Sequence, residues 1–305
     1  MIAFLLSFLQ FTAFVFLNKL TLPARSFALN PYLALLDNLS NRLIAFVRSG
    51  LPLSPRILCF LIGGLALAGR TALVAKSGFN ILSLGGLYTY TFAPTGFIEW
   101  FGVAMLQFLA FCAALFSAYI LLRLWHFGKE LPGYTGDILK QALRPFSYAS
   151  FLLQILALMI IAATLIFLCE HFAVGSLNSE FSASSRELFA KAQLPNLFDL
   201  SQLSPMMRNS FLTGFSIIAT IADLTHFIFL LILLSLFSLL FRARGTDFFV
   251  QDALTLMQGR LPTLRIGALN LTPIVVFFLL NLIMIILLQG FLIAIWGLNH
   301  VVQTL

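Results

Sequence analysis

Long runs of apolar residues dominate the chain, and short polar stretches separate them. A helix needs roughly 20 mostly apolar residues to cross a membrane, because unpaired backbone groups in lipid cost several kcal/mol each. Six segments match this length and character: 1–17, 57–75, 97–125, 148–170, 211–241 and 274–297. Barrel strands alternate apolar and polar positions, and runs such as LILLSLFSLLF do not. The pattern predicts an all-α, polytopic transmembrane helical bundle of about six spans.

Amphipathic stretches lie between the first and second, the third and fourth, and the fifth and sixth spans. They are NPYLALLDNLSNRLIAFVRSGLP (30–52), GYTGDILKQALRP (133–145) and GTDFFVQDALTLMQGRLP (245–262). Each places apolar residues at helical spacing and ends near a proline, which predicts a short interfacial helix. Such helices either cover the ends of the spans or form a docking ring for a partner or lipid. The docking candidates are Leu39, Leu43, Phe46, Arg48, Phe249, Leu256 and Arg260.

A phrase of Leu, a hydroxyl residue and Pro precedes both the second and the sixth span, in LSPRILCFLIGGL and LTPIVVFFLLNLI. Together with the amphipathic stretches it defines a repeated unit of span, amphipathic helix, proline and span. We predict three parallel units, 1–75, 97–170 and 211–305, with an outer loop at 171–210. The motif positions are Pro52, Ser54, Pro55, Arg144, Pro145, Pro262, Asn270, Thr272 and Pro273.

Composition supports the membrane class and the charge pattern gives an orientation. Apolar residues make up 60% of the chain, charged residues 10%, and the mean hydropathy is +1.00, whereas charged residues form about 25% of soluble domains. Most of the 18 Lys and Arg residues lie in the three loops that hold the amphipathic stretches. Because positive residues gather in cytoplasmic loops, we predict these loops in the cytoplasm and both termini outside. The net charge of +7 follows from this topology and does not indicate a nucleic-acid partner.

The stretch LLFRARGTDFFVQDALTLMQGRLPTLRIGALNLTPIVVFFLLNLI (239–283) resembles the YggT family of bacterial and chloroplast membrane proteins, also called YlmG. Residues 30–58 resemble the same unit, and GDILKQALRPF (136–146) resembles its Arg-Pro portion. The family's Asp before the Pro is Asn270 in this chain, and its paired arginines are reduced to Arg260. Family members are typically shorter and carry two units, whereas this chain has three.

The resemblance implies a multi-pass protein of the bacterial inner membrane. Family members are associated with membrane organisation near cell-division genes and with osmotic or ion stress. In chloroplasts they are associated with haem attachment to a cytochrome b subunit and with nucleoid placement. No agreed chemical reaction accompanies the family. A haem contact would come to this chain by analogy alone, so we predict no cofactor.

Ionisable residues inside the spans are the candidates for chemistry, because each costs several kcal/mol there. Asp223 and His226, three residues apart in the fifth span, share a helix face. They could relay a proton, bind a cation, or fix helix packing through an internal hydrogen bond. Arg70, deep in the second span, could neutralise Asp223 if the two helices touch.

Enzyme signatures do not occur in the sequence. HExxH, GxSxG, GxGxxG and the P-loop GxxxxGK are all missing, and the three cysteines lie singly inside spans. We therefore predict neither a dedicated enzyme nor a metal site. The preferred function is a scaffold or assembly factor whose amphipathic helices meet lipid, a membrane-protein partner or a second copy of the chain. The alternative is an ion or proton pathway that uses Asp223 and His226.

Overall fold

The predicted apolar runs form long helices in the part of the chain that the computed structural model describes. That part comprises residues 2–21, 30–50, 53–78, 80–84, 88–144, 146–173, 180–181, 203–241, 244–259, 261, 264–266 and 269–304. Its α-helices are, in chain order, α1 (Ile2–Thr21), α2 (Pro31–Gly50), α3 (Pro55–Ser77), α4 (Phe97–Trp125), α5 (Gly133–Ala142), α6 (Phe151–Phe172), α7 (Pro205–Phe241), α8 (Arg244–Gln258) and α9 (Thr272–Thr304). A 3-10 turn, Phe146–Tyr148, precedes α6. The predicted all-α class is confirmed.

Five helices of the described chain, α3, α4, α6, α7 and α9, are long and apolar enough to cross a membrane. In α7 and α9 the apolar segments are Pro205–Leu233 and Thr272–Ile295. The first predicted span, 1–17, lies in α1, whose apolar segment Phe4–Leu20 is shorter than the others. The protein is therefore an integral, multi-pass membrane protein.

The Leu, hydroxyl residue, Pro phrase marks the starts of α3 and α9, and it occurs a third time at Leu203, Ser204 and Pro205, where α7 begins. Ser54 caps α3, because its side chain accepts a hydrogen bond from the N–H of Ile57 at 3.4 Å. Pro55 then occupies the first turn, where a helix leaves backbone N–H groups without partners. Thr272 is the first residue of α9, and its hydroxyl oxygen accepts from the N–H of Leu264 at 2.9 Å. The phrase is a helix-start signal.

Helix α7 lies at the centre of the bundle, where it packs against α4, α6, α8 and α9. Phe211 and Phe215 are fully buried in the main hydrophobic core along it. Gly214 allows α9 to approach closely, because a side chain at this position would overlap the ring of Phe291. The opposite face of α7, which carries polar residues such as Ser216 and Thr220, therefore points to a side of the bundle that α9 does not occupy.

The three short helices α2, α5 and α8 lie at one end of the bundle, each between two consecutive long helices. Helix α5 contacts both α2 and α8, so the three form one layer, which we name the amphipathic layer. The order of long, amphipathic and long helix thus occurs in each of the predicted units 1–75, 97–170 and 211–305. A common origin of these units stays a prediction.

Short strands and an ion pair lie at the end of the bundle opposite the amphipathic layer. The antiparallel hairpin of β1 (Ile81–Leu84) and β2 (Tyr88–Thr91) is extended by β3 (Glu180–Phe181). Tyr90 of this hairpin is fully buried in the main core. An ion pair of 2.8 Å between Glu170 and Arg208 joins α6 to α7 across the outer loop.

A second hairpin, β4 (Arg265–Ile266) and β5 (Leu269–Asn270), leads from α8 to α9.

Candidate functional site

A partly open cavity of about 280 Å³, with a wall of both apolar and polar residues, lies between α1, α3, α4, α6, α7 and strand β1. Apolar side chains such as Ala110, Phe111 and Leu165 form part of its wall. The polar residues in the wall are Gln10, Arg70, Gln107, Ser117, Ser216, Thr220 and Asp223. The cavity therefore brings together Arg70 and Asp223, two charged residues that belong to different spans.

Arg70 lies on the face of α3 that packs against α4, together with the buried Leu67 and Val74. Only 4% of Arg70 is exposed. Its Nη1 donates a hydrogen bond to the backbone oxygen of Ala104 at 3.2 Å, whereas its Nε has no hydrogen-bond partner among the described residues. A buried guanidinium with so few partners is costly, because nothing replaces the water that it has lost. Nε is itself buried, so Nη2, which makes no hydrogen bond among the described residues, is the group that can serve a molecule in the cavity.

A stripe of polar residues runs along α7 to the cavity. Asn209, Thr213, Ser216, Thr220 and Asp223 follow each other at alternating intervals of four and three residues, so they share one helix face. The hydroxyls of Thr213, Ser216 and Thr220 donate to backbone oxygens one turn back, at 2.7, 2.8 and 3.1 Å. We name this set the α7 stripe. It begins at the end opposite the amphipathic layer and ends at Asp223.

Asp223 closes the α7 stripe in the cavity wall and is exposed, in contrast to Arg70. His226 lies one turn closer to the amphipathic layer, is also exposed, and does not line the cavity. Among the described residues no ion pair joins Asp223 to Arg70 or to His226. The proposed action of Asp223 and His226 as a pair stays a prediction. The shared cavity nevertheless gives Arg70 and Asp223 a common environment.

Hydrogen bonds fasten the amphipathic layer together. Asn30 caps α2 by accepting from the N–H groups of Tyr32 and Leu33, and its amide donates to the backbone oxygen of Tyr134 at 2.8 Å. Asp252 of α8 caps α5 from outside that helix. Its carboxylate accepts from the N–H groups of Tyr134 and Thr135 at 3.0 and 2.7 Å. The start of a helix favours a negative charge, so Asp252 stabilises α5 as well as joining it to α8.

The docking candidates of the sequence fall into two environments. Leu39, Leu43 and Phe46 are exposed on one side of α2, and Phe46 is 78% exposed. Arg48 is exposed on the same helix. Leu256 of α8, by contrast, is only 1% exposed, because it packs against α4, α7 and α9 in a buried cluster. The apolar candidates of α2 therefore point outward, whereas Leu256 of α8 packs into the bundle.

The remaining candidates lie at helix ends or outside the described residues. Arg144 follows α5, and its guanidinium lies 4.5 Å from the centre of the Tyr148 ring. Pro273 is the second residue of α9, and Asn270 pairs with Arg265 in the hairpin before it. Pro52, Pro145, Arg260 and Pro262 lie outside the described residues, as does the side chain of Phe249.

Several residues of the cavity were not predicted from the sequence. The α7 stripe has a signal, since its intervals of four and three residues can be read directly from the chain. Gln10, Gln107 and Ser117 have no such signal, because single polar residues inside apolar runs give no indication of which helix they face. Among the described residues no group of three or more His, Cys, Asp or Glu side chains could hold a metal ion.

The resemblance to the YggT family depends on residues 239–283, 30–58 and 136–146. No model of a known family, no curated protein and no solved structure matches the chain. Membership of the family therefore stays a prediction.

Proposed function

We propose that the protein provides a pathway for protons or small charged solutes through a membrane, with Asp223 as a group on that pathway. The observation that supports this proposal is the cavity, where Arg70 and Asp223 line one space without forming an ion pair with each other. Charged side chains within a membrane are costly, and those present usually mark pathways, relays or ligand sites. A pair that served only stability would gain most from direct contact.

The α7 stripe supports an entrance from the end opposite the amphipathic layer. Asn209 is the first residue of the stripe and lies near that end. Polar groups then continue to Asp223, and His226 lies beyond it toward the amphipathic layer. An imidazole has one nitrogen that can accept a proton and one that can donate a proton, so His226 could pass on a proton from Asp223. With the basic loops in the cytoplasm, the pathway would lead from outside the cell inward.

Flux into sealed vesicles that contain the purified protein tests the proposal. A pH-sensitive dye inside the vesicles reports proton entry under a membrane potential, and light scattering reports swelling in a glycine gradient. We expect the replacement Asp223→Asn to lower the active flux to that of vesicles without protein. Glu99→Gln is the matched control, because Glu99 is an exposed carboxylate at the outer end of α4, away from the cavity. Equal rates of both fluxes for wild type and Asp223→Asn would refute the proposal.

A second candidate function, a scaffold for a membrane-associated partner, is supported by the surface of α2. Leu39, Leu43 and Phe46 form an exposed apolar stripe beside the exposed Arg42 and Arg48. This combination fits a partner surface with an apolar face and acidic residues at its margin.

Cross-linking in native membranes, followed by affinity isolation, tests the scaffold. We expect Leu43→Glu with Phe46→Glu to abolish retention of a partner while leaving membrane insertion intact. Ala45→Glu is the control, since Ala45 is exposed on the polar side of the same helix. Retention that is unchanged in the double variant would count against the scaffold, and loss of lipid alone would assign the surface to the bilayer.

A further inference from the structure

We propose that the cavity binds a small zwitterion, with its carboxylate against Arg70 and its ammonium group against Asp223. This inference depends on the proposed function, because it names the class of solute for the same site. The two charged residues lie in the walls of one cavity, on α3 and α7, and they do not form an ion pair with each other. A ligand that carries both charges can pair with both residues at once.

Charge balance favours a zwitterion over a simple ion. With Arg70 and Asp223 ionised, the cavity wall carries one positive and one negative charge. A bound anion would leave Asp223 uncompensated, and a bound cation would leave Arg70 uncompensated. An unpaired charge is most expensive at Arg70, which is buried, and less so at the exposed Asp223. A zwitterion pairs with both residues and adds no net charge.

The wall formed by α3 offers hydrogen-bond donors. A guanidinium group has five N–H donors and no acceptor, and its planar fork fits a carboxylate. One donor of Arg70 is used by the backbone oxygen of Ala104 and Nε is fully buried, but Nη2 makes no hydrogen bond among the described residues. Arg70 can therefore bind a carboxylate without giving up its existing hydrogen bond.

The wall formed by α7 offers acceptors. The hydroxyl protons of Ser216 and Thr220 are used by backbone oxygens of α7. Their oxygen lone pairs remain as acceptors, as does the carboxylate of Asp223. An ammonium group has three donors and no acceptor, so it suits this wall. The donor and acceptor sides of the cavity thus correspond to the two ends of a zwitterion.

The size of the cavity limits the ligand. Its volume of about 280 Å³ is at the lower limit of the ~300–1,000 Å³ usual for pockets that hold drug-sized molecules. Ile81, Leu82 and Phe111 supply an apolar part of the wall, which can contact a short aliphatic group. An amino acid with a small side chain has the required charges and size.

Binding of radiolabelled alanine to the purified protein in detergent tests the inference. Propionate is alanine without its amine and ethylamine is alanine without its carboxylate, so the two competitors separate the charges. We expect saturable binding of alanine. Each fragment should compete at least about thirtyfold more weakly than unlabelled alanine does. Equal competition by propionate would show an anion site, equal competition by ethylamine would show a cation site, and either result would overturn the inference.

Variants test the two contacts. We expect Arg70→Gln and Asp223→Asn each to weaken alanine binding by about thirtyfold or more. Arg56→Gln is the matched control for Arg70, because Arg56 is exposed at the start of the same helix. If Arg70→Gln does not fold, Arg70→Lys keeps the charge but loses the fork, and the competition series with the wild type still decides the ligand class.

Failure of the inference and failure of the proposed function give different results. If neither alanine nor glycine shows saturable binding but the proton flux still depends on Asp223, the zwitterion site is overturned and the proposed pathway is retained. Alanine binding that requires Arg70 and Asp223, without any flux into vesicles, would support the ligand and refute the pathway.

Discussion

Asp252 in the amphipathic layer and Asp223 in the cavity are both aspartates at helix interfaces, but their surroundings differ. The carboxylate of Asp252 accepts hydrogen bonds from two backbone N–H groups and from the hydroxyl of Thr135, the last at 2.6 Å. Asp223 has neither an ion pair nor a hydrogen bond of this kind among the described residues. One carboxylate is used by the fold, and the other is available to a solute.

Two arginines show the same contrast. Arg123 donates to the side-chain oxygen of Gln154 at 2.7 Å and to the backbone oxygen of Gly128 at 2.8 Å, and it lies over the ring of Phe151. Arg70 has one hydrogen bond, to a backbone oxygen, and Nε lacks a partner among the described residues in both arginines, so the contrast lies in their Nη groups. Charged groups that are hydrogen-bonded within the protein stabilise the structure. Charged groups that line a cavity with few hydrogen bonds are the better candidates for function.

The largest effect is expected for the arginine pair. Arg123→Met should lower the free energy of unfolding by about 2–3 kcal/mol, because fully buried Gln154 loses a charged donor. Arg70→Met should leave stability unchanged or raise it, since an apolar side chain often replaces a poorly compensated buried charge without loss. Unfolding in a denaturing detergent, measured for both variants, tests the contrast. A comparable loss of unfolding free energy for Arg70→Met would contradict the contrast between the two arginines.

A smaller effect is expected for the aspartate pair. Asp252→Ala should cost about 1–2 kcal/mol of unfolding free energy, because α5 loses its cap and its attachment to α8. Asp252→Asn keeps an acceptor and should lose less. Asp223→Asn should change the same quantity by less than about 0.5 kcal/mol, as substitutions without lost contacts usually do. A cost for Asp223→Asn similar to that for Asp252→Ala would indicate a structural role for Asp223.

The smallest effect is expected from a pair at the surface of the amphipathic layer, Lys140 of α5 and the exposed Glu130, whose charged atoms lie 2.6 Å apart. Their hydrogen bond lowers the pKa of Glu130 and raises the pKa of Lys140. The carboxylate's contribution to stability is therefore lost as the pH falls through its lowered pKa. The ammonium group's contribution is lost as the pH rises through its raised pKa.

The pair should thus stabilise the protein across neutral pH and lose its effect at both extremes. Because Glu130 is largely exposed, the difference should be a few tenths of a kcal/mol. Unfolding free energies of the wild type and Lys140→Met, compared from acid to alkaline pH, measure it. A difference that grows toward either extreme would contradict the assignment of these pKa changes to the pair.

The same sequence pattern has different outcomes in α2 and α8. Both helices have an apolar face and a polar face, and from the sequence alone both Leu43 and Leu256 were predicted to be docking residues. Leu256 is buried because α4, α7 and α9 surround it, whereas Leu43 is exposed on the outer side of α2. Periodicity defines which residues share a face, but the neighbouring helices determine whether that face is covered.

The sequence by itself determined the membrane class, the long helices and the starts of α3 and α9. These are local properties, since an apolar run of sufficient length favours lipid and a hydroxyl residue before proline favours a helix start. The tertiary structure alone decided that Arg70 and Asp223 share a cavity and that Tyr90 enters the core from a hairpin. These features depend on how α3, α4 and α7 are rotated and spaced, which is set by packing between segments that are far apart in the chain.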